Sequence, residues 1–300
     1  MQDFLQHLVN GLSLGSIYAL IALGYTMVYG ILKMINFAHS DVYMIGAFAA
    51  YYAARLFGIE AQPGIASLLI LLLVAMMTCA FLGLVIERFA YRPLRNSPKL
   101  NVLITAIGVS LFLEHSGQAV FGADPKVFPE VMKDSVLVSV AGIDIKTFDI
   151  TVLVVSVLAM LGLQFLIHKT KTGKAMRAVS SNANVASLLG ISPNKIIAFT
   201  FIVGSALAGV GSVLVGMKYP KIDPLMGMMI GLKAFVAAVL GGIGNVGGAV
   251  VGALIMGLSE EIVVAYLSST YRDALAFGIL ILILIIKPTG LFGKNTTEKV

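Results

Sequence analysis

The sequence predicts an all-α fold, a polytopic bundle of transmembrane helices that forms a single domain over residues 1–300. Of its 300 residues, 58% are hydrophobic and 12% are charged, and the mean hydropathy is +0.96. A soluble domain of this length needs far more polar cover. Segments such as 65–86 are uncharged for about twenty residues, enough to cross a hydrocarbon core of roughly 30 Å as a helix. The chain is therefore expected to cross a membrane several times.

Nine apolar stretches can be delimited, and each is a candidate helix. The fourth and ninth have short uncharged cores, and the seventh and eighth run together through glycines. We therefore expect eight or nine full crossings, with broken or half helices making up the difference. The stretches lie near residues 8–32, 41–57, 65–86, 100–113, 149–167, 196–217, 225–243, 244–267 and 272–286.

The charged residues predict the orientation of these helices. Twelve of the 21 basic residues fall in the 88–99 loop, the 169–195 loop and the C-terminal tail, whereas the 114–149 loop has six acids against three lysines. Lysine and arginine concentrate on the cytoplasmic side of membrane proteins. The three basic regions are therefore expected inside and the 114–149 loop outside. The side of the N-terminus depends on the number of crossings. The net charge of +6 is explained by this topology, so no nucleic-acid partner is expected.

The 169–195 loop predicts a helix that lies across the cytoplasmic surface. Asn182 is suited to cap a second short helix, Gly190 to end it, and Pro193 to begin the next span. Two interpretations remain open: an amphipathic helix that touches lipid headgroups, or a docking helix for a cytoplasmic partner. Its apolar residues recur every three to four positions, at Met176, Val179, Ala183, Ala186 and Leu189.

The same loop resembles a known cytoplasmic signature. The pattern RA…N…ASLLGI, which ends at Ile191, is similar to the loop of permease subunits of ATP-binding-cassette (ABC) importers. Its form is nearest to the high-affinity, H-type permease family for branched-chain amino acids. A departure is Ser40, where the family pattern has glycine. Further matching stretches are GLSLGSIYALIALGYTMVYGILKMINFAHSDVYMIGAF (11–48), ERFAYRPLR (87–95), GLKAFVAAVLGGIGNVGGAVVGALIMGLSE (231–260) and PTGLFG (288–293).

The resemblance implies a passive pathway in the inner membrane of a bacterium. Two ABC ATPase subunits would bind the cytoplasmic helix, a sister permease would complete the pore, and a periplasmic binding protein would deliver leucine, isoleucine or valine. The 114–149 loop would then be periplasmic. No catalytic residue, cofactor or metal is implied. The resemblance carries the ATPase-coupling role onto Arg177, Asn182, Ala186, Ser187, Leu188 and Gly190.

The glycine-rich segment 242–252 matches the dinucleotide fingerprint GxGxxG only formally. That fingerprint has meaning between a strand and a helix, whereas apolar spans flank it here, so no cofactor is expected. Gly244, Gly248 and Gly252 recur every four residues, which lets helices approach closely in lipid. We therefore expect these three glycines to pack helices. No Walker A sequence occurs, so the chain itself is not expected to be an enzyme that hydrolyses ATP.

The segment NFAHSD places polar side chains between two apolar stretches. It is either a polar turn at the membrane surface or a broken helix that lines the translocation pathway. The candidate pathway residues are Asn36, Phe37, His39, Asp41 and, further along the chain, Lys233. That lysine either pairs with Glu260 or Glu261 at depth or extends its amine to the outer surface.

Three functions compete at this point. The first is the pore subunit of an ATP-driven importer for branched-chain amino acids, and the second is a related permease for urea, amides or a sugar. The third is a stand-alone secondary transporter, which would be expected to carry paired carboxylates within its spans. Only Asp41 and the pair Glu260 and Glu261 come near that pattern. The single Cys79 lies in an apolar run and excludes an intramolecular disulfide.

Overall fold

A computed structural model describes residues 2–95, 97–140 and 143–293, in which the chain folds into eleven α-helices. Nine of them correspond to the nine apolar stretches, so this part of the sequence prediction is confirmed. Two short helices, α6 (Lys171–Ser181) and α7 (Ala183–Leu188), lie in the 169–195 loop. The nine are α1 (Gln2–Leu32), α2 (His39–Leu56), α3 (Ile65–Ile86), α4 (Lys99–Phe121), α5 (Thr147–Lys169), α8 (Pro193–Lys218), α9 (Met226–Gly241), α10 (Val246–Tyr266) and α11 (Arg272–Ile286).

Two small antiparallel strand pairs accompany the helices. Strand β1 (Lys126–Val127) pairs with β4 (Lys221–Ile222), and β2 (Val136–Val140) pairs with β3 (Ile143–Lys146). Both lie outside the helical bundle proper. Helix α4 continues to Phe121, so the loop between α4 and α5 spans 122–146 and is shorter than the expected 114–149.

The nine helices of the bundle differ in length, as expected for eight or nine spans that include broken or half helices. Within the described residues, seven helices are long and apolar enough to cross a membrane. The fourth stretch is one of them, because α4 has 23 residues, and so is the last, which with its preceding turn covers Ser269–Ile286. Helix α9 has only 16 residues, and α2 is not among the seven. The short elements are therefore α2 and α9, the two that follow a non-helical break.

One end of the bundle, which we term the acidic end, gathers the N-terminus and the 122–146 loop. The Gln6 amide donates to the backbone oxygen of Asp144 at 3.2 Å, and Gln6 accepts from its backbone nitrogen at 2.9 Å. The β1–β4 pair brings the end of α8 to the same place. The N-terminus, whose side the sequence left open, therefore lies with the loop predicted to be outside.

The opposite end, the basic end, gathers the three basic regions. Ser180 Oγ of α6 donates to Gly30 O near the end of α1 at 2.5 Å. The segment after α11 returns to α9, where the Leu291 amide donates to Leu240 O at 2.8 Å. Arg95, from the loop between α3 and α4, joins the start of α8. This separation of charge agrees with the orientation inferred from the sequence.

The order of directions through the bundle repeats with inversion. Helices α1 and α3 run from the acidic end to the basic end, and α2 and α4 run in the opposite direction. A non-helical break precedes α2. Helices α8 to α11 make the same series from the basic end, with a break before α9. The two largest helix–helix interfaces are α1 against α10 and α3 against α8. They are equivalent when α1 to α4 are matched in order with α8 to α11, since α1 then corresponds to α8 and α3 to α10. The bundle is therefore two units of four helices of opposite orientation, joined by α5.

Glycines bring the helices of these two interfaces into close contact. A Cβ at Gly15 of α1 would lie 2.8 Å from Leu254 Cα of α10, and one at Gly209 of α8 would lie 2.6 Å from Ala75 O of α3. Real side-chain carbons are essentially never found this close to backbone atoms. Small residues thus permit the backbone-to-backbone packing that holds helices together in lipid.

The expected ladder of three glycines on one helix does not form. Gly248 and Gly252 lie on α10 against α9, where added Cβ atoms would stand 2.3 Å from Gly241 O and 2.2 Å from Ala237 O. Gly244 instead lies in the turn that precedes α10, with φ of +94°. Glycine adopts that backbone conformation without steric cost, so its role is to form the turn.

Replacing Gly248 by leucine is expected to separate α9 from α10 and to lower the folded yield and the melting temperature in detergent. The overlap with Gly241 O involves backbone and cannot be relieved by rotating a side chain. Gly278→Leu on α11 is the matched control, since nothing lies within 4 Å of a Cβ there. Thermal unfolding of both variants, followed by size-exclusion chromatography, measures the difference. Equal melting of the two variants would show that the α9–α10 contact does not limit stability.

Candidate functional site

The NFAHSD segment is a buried break between α1 and α2. Asn36 Oδ1 accepts a hydrogen bond from the Tyr91 hydroxyl at 2.9 Å, and the His39 ring packs edge-on to Tyr25 with centroids 4.7 Å apart. Asn36 and His39 are 2% and 1% exposed. Other helices therefore cover the break and satisfy part of its polar groups, which favours the broken helix over the polar turn at the membrane surface.

Asp41, in the first turn of α2, has one oxygen engaged and one free. Its Oδ2 accepts from Ser110 Oγ of α4 at 2.5 Å. Its Oδ1 is fully buried and has no hydrogen-bond partner in the described part of the chain. A buried carboxylate oxygen without a donor is unusual and marks this position as a candidate for function.

A cavity of about 250 Å³ lies beside this carboxylate, between α4 and α9. Phe37, expected in the pathway, lines it, and so does Glu114. Glu114 was not among the candidate residues predicted from the sequence, because it was expected in the 114–149 loop and lies instead in α4. The available signal in the sequence was the spacing of four residues between Ser110 and Glu114, which places both polar side chains on one face of a helix. The lining is completed by Tyr25, Ser40, Ile107, Ser110, Leu111, Met228, Leu232 and Phe235.

Lys233 belongs to a separate ionic cluster, in which it lies between the buried Glu260 and Asp273, whose side chain is 48% exposed. Lys233 is 6% exposed, and its Nζ lies 2.7 Å from Asp273 Oδ1 and 3.3 Å from Glu260 Oε1. The Tyr18 hydroxyl donates to Glu260 Oε2 at 3.0 Å, and Arg272 Nε lies 3.8 Å from the same oxygen. The structure therefore places Lys233 apart from Asn36, Phe37, His39 and Asp41.

The cytoplasmic helix of the sequence prediction is two helices joined at Asn182. The side-chain oxygen of Asn182 accepts from the amides of Asn184 and Val185, each at 3.0 Å, which caps α7. Gly190 has φ of +80° and turns the chain towards α8. Arg177 is exposed on α6 and donates to the Ile167 carbonyl. The cap and the stop thus lie where the sequence placed them.

The six proposed coupling residues differ in how far their side chains are exposed to solvent. The side chains of Leu188 and its neighbour Leu189 are 87% and 74% exposed, an apolar pair on a polar surface. Ala186 is 2% exposed and belongs to the same buried cluster as Ile197 of α8. The side chain of Ala186, which was expected to contact a partner, therefore contacts other residues of this chain. Arg177, Asn182, Ser187 and Gly190 remain exposed.

Arg95 fixes the neighbouring loop against this region. Its guanidinium pairs with Glu87 and donates to Asn194 Oδ1 at 2.5 Å, at the start of α8. Burial lowers the pKa of Arg95 from its usual value, and the adjacent Glu87 carboxylate acts in the opposite direction. Arg95 therefore ties the loop between α3 and α4 to the first turn of α8, the helix that follows α7 in the chain.

These features together define a class of protein, a polytopic membrane transport subunit. It has a buried polar break, a cavity at that break and an exposed apolar helix at one end. In the described residues no group of three or more His, Cys, Asp or Glu side chains is placed to hold a metal ion.

Comparison with known proteins identifies the family. Residues 7–284 match the family described as "Branched-chain amino acid transport system / permease component", and the chain belongs to that family. It is 45% identical to the high-affinity branched-chain amino acid transport system permease protein BraD of Pseudomonas aeruginosa, over 99% of this chain and 98% of BraD. It is 44% identical to LivH of Escherichia coli K12, again over 99% and 98%. A probable LivH of Methanocaldococcus jannaschii is 32% identical over 93% and 90%.

Proposed function

We propose that the chain is a pore-forming permease subunit of an ATP-driven ABC importer for branched-chain amino acids in a bacterial inner membrane. Full-length similarity to permeases named for that transport supports the solute class. The structural observation that carries the proposal is the exposed leucine pair on the capped helix α7. Exposed leucines on a rigid helix are typical of a surface that another protein covers.

Each partner has a surface that suits it. Of two ABC ATPase subunits, one binds α7 at the basic end and the other binds the equivalent helix of the sister permease. The residues at or beside the contact on this chain are Arg177, Asn182, Ser187, Leu188 and Gly190. A sister permease covers the face between α4 and α9, where apolar side chains are exposed. A periplasmic binding protein docks at the acidic end, where a concavity of about 1250 Å³ is lined by charged side chains of both signs. Membrane lipid surrounds the remaining apolar faces.

A secondary transporter remains the second candidate because of one observation. Asp41 and Glu114 belong to helices that Ser110 links, so two carboxylates lie near each other within the spans. Paired carboxylates at depth are typical of proton relays in transporters. An ion gradient drives transport only if the ion binds the alternating conformations with different affinity. The energy source must therefore be tested directly.

Reconstitution tests the energy source. The permease in liposomes without ATPases is expected to accumulate no leucine, with or without a proton or sodium gradient. Adding the ATPases, the sister permease, ATP and the binding protein is expected to restore concentrative uptake, measured with radiolabelled leucine. A protonophore is the control and leaves ATP-driven uptake unchanged. Accumulation by the permease alone in a gradient would contradict the importer and favour the secondary transporter.

The same assay separates branched-chain amino acids from other small solutes. Unlabelled isoleucine and valine are expected to compete with labelled leucine in the complete system, whereas urea, acetamide and ribose are expected to have no effect. Uptake of one of these three in place of leucine would assign the chain to a different solute. The coupling through α7 would be unaffected by that outcome.

A further inference from the structure

We propose that the cavity between α4 and α9 is a recognition site for the α-ammonium group of the transported amino acid, with the Glu114 carboxylate as its ligand and Asp41 behind it. This inference rests on the proposed function, because it assumes an amino acid as the solute. The cavity is lined by residues of five segments that converge at the buried break, and Glu114 and Ser110 are its polar groups on α4.

Glu114 is a buried acid without a partner. It is 4% exposed, it lines the cavity, and it forms no hydrogen bond or ion pair within the described residues. Buried charges in proteins are normally paired, since an unpaired ion is costly to remove from water. In membrane spans such residues face a polar pathway and mark a functional site. An ammonium group that entered the cavity would supply the missing counter-charge.

Asp41 extends the negative site behind the cavity wall. Ser110 Oγ, which lines the cavity, donates to Asp41 Oδ2, and the buried Oδ1 of Asp41 is left without a donor. Ser110 and Glu114 are four residues apart on α4 and therefore lie on the same face of that helix. The Ser110 hydroxyl thus holds the Asp41 carboxylate on the side of α4 that carries Glu114. The two carboxylates together concentrate negative charge where a cation would enter the cavity.

The rest of the cavity suits the other parts of a branched-chain amino acid. The N-terminal turns of α2 and α9, through Ser40 and Met228, reach the cavity, and the positive ends of helix dipoles favour a carboxylate. Apolar side chains fill the remaining wall. The volume is below the roughly 300–1,000 Å³ of pockets that bind drug-sized ligands, so the size of the cavity suits a small solute. The apolar lining comprises Phe37, Ile107, Leu111, Leu232 and Phe235.

Neutralising Glu114 tests the site in the assembled importer with its ATPases, sister permease and binding protein. Glu114→Gln is expected to lower leucine uptake about tenfold or more, the loss expected for a hydrogen bond to a charged group. ATP hydrolysis stimulated by the loaded binding protein is expected to persist, because α7 is untouched. Glu114→Asp is expected to restore part of the uptake. His115→Gln, at an exposed residue of the same helix that does not line the cavity, is the matched control and is expected to transport normally.

A chemical probe tests the charge of the cavity without using transport. Leu111 lines the cavity, and a cysteine there can be modified in the assembled complex, while the natural Cys79 is buried and serves as the background control. A cationic methanethiosulfonate is expected to react with Leu111→Cys about tenfold faster than an anionic one, since a negative cleft concentrates cations. Adding Glu114→Gln is expected to remove most of this preference, and leucine is expected to slow the reaction.

Two results would overturn the proposal. One is normal leucine uptake by Glu114→Gln. The other is a reaction at Leu111→Cys that shows no preference for the cationic reagent, or a preference that Glu114→Gln leaves unchanged. Failure of the proposed function is distinguishable, since a wild-type complex that carries no leucine would still reveal a cation-selective cavity through the chemical probe.

Discussion

Leu188→Asp is expected to abolish leucine uptake, by about a hundredfold or more, and to prevent the ATPases from co-purifying with the permease. Leu188 is 87% exposed, and the proposed docking of an ATPase would bury it. Burial of a leucine side chain contributes roughly 1.5–3 kcal/mol, and a buried unpaired carboxylate in its place adds a further penalty of roughly similar size. Uptake in vesicles and pull-down of the ATPases measure the two losses.

A matched control separates docking from folding in this experiment. Leu267→Asp makes the same change at a leucine that is 72% exposed at the acidic end, and we expect it to leave ATPase binding intact. Leu188→Asp should melt as the wild type does, whereas Ala186→Asp buries a charge within the permease and should lower its folded yield. Normal uptake and co-purification by Leu188→Asp would show that the ATPases dock elsewhere.

Lys233→Met is expected to destabilise the permease by about 3–5 kcal/mol, the typical effect of removing one partner from a buried ion pair. The substitution leaves Glu260, which is 0% exposed, with only Tyr18 and the more distant Arg272. Thermal unfolding in detergent should show a clear fall in melting temperature. Lys221→Met, at an exposed lysine in β4, should melt as the wild type does.

The double variant shows whether the loss comes from the stranded charge. Adding Glu260→Gln to Lys233→Met removes the uncompensated carboxylate, so most of the lost stability is expected to return. If Lys233→Met keeps the wild-type melting temperature and loses uptake only, the cluster belongs to the translocation pathway, as the sequence suggested, and does not act mainly to stabilise the fold.

The helices were predictable because lipid leaves the chain little choice. A segment that crosses hydrocarbon must be apolar, long and internally hydrogen-bonded, so hydropathy located all nine helices of the bundle, including the shorter α2 and α9. Their true extents were harder to predict. Helix α4 carries Ser110 and Glu114, which lowered its apparent hydropathy, yet both side chains face a protein cavity. Hydropathy records the composition of a segment and does not reveal which neighbours cover its polar groups.

Local signals in the site were predictable in the same way, and long-range contacts were not. The cap at Asn182 and the stop at Gly190 depend on neighbouring residues alone, so the sequence placed them correctly. Ala186 lies on a helical face that the sequence identified, but nothing local reveals whether the permease or a partner covers that face. The neighbourhood of Asp41 and Glu114 depends on two distant helices, which only the fold brings together.

The number of helices in the two four-helix units makes α5 important for the topology of the chain, although α5 packs little against its neighbours. An even number of crossings returns a chain to the side on which it began. Two such units can face opposite ways only if an odd number of crossings separates them, and α5 supplies the one required. It is the span with nearly the lowest burial, 17% of its apolar window, so it contributes little cohesion. Helix α5 adds one crossing and so makes the number of crossings before α7 odd. Without it, the second unit would have the opposite orientation in the membrane, and α7 would lie on the same side as the N-terminus.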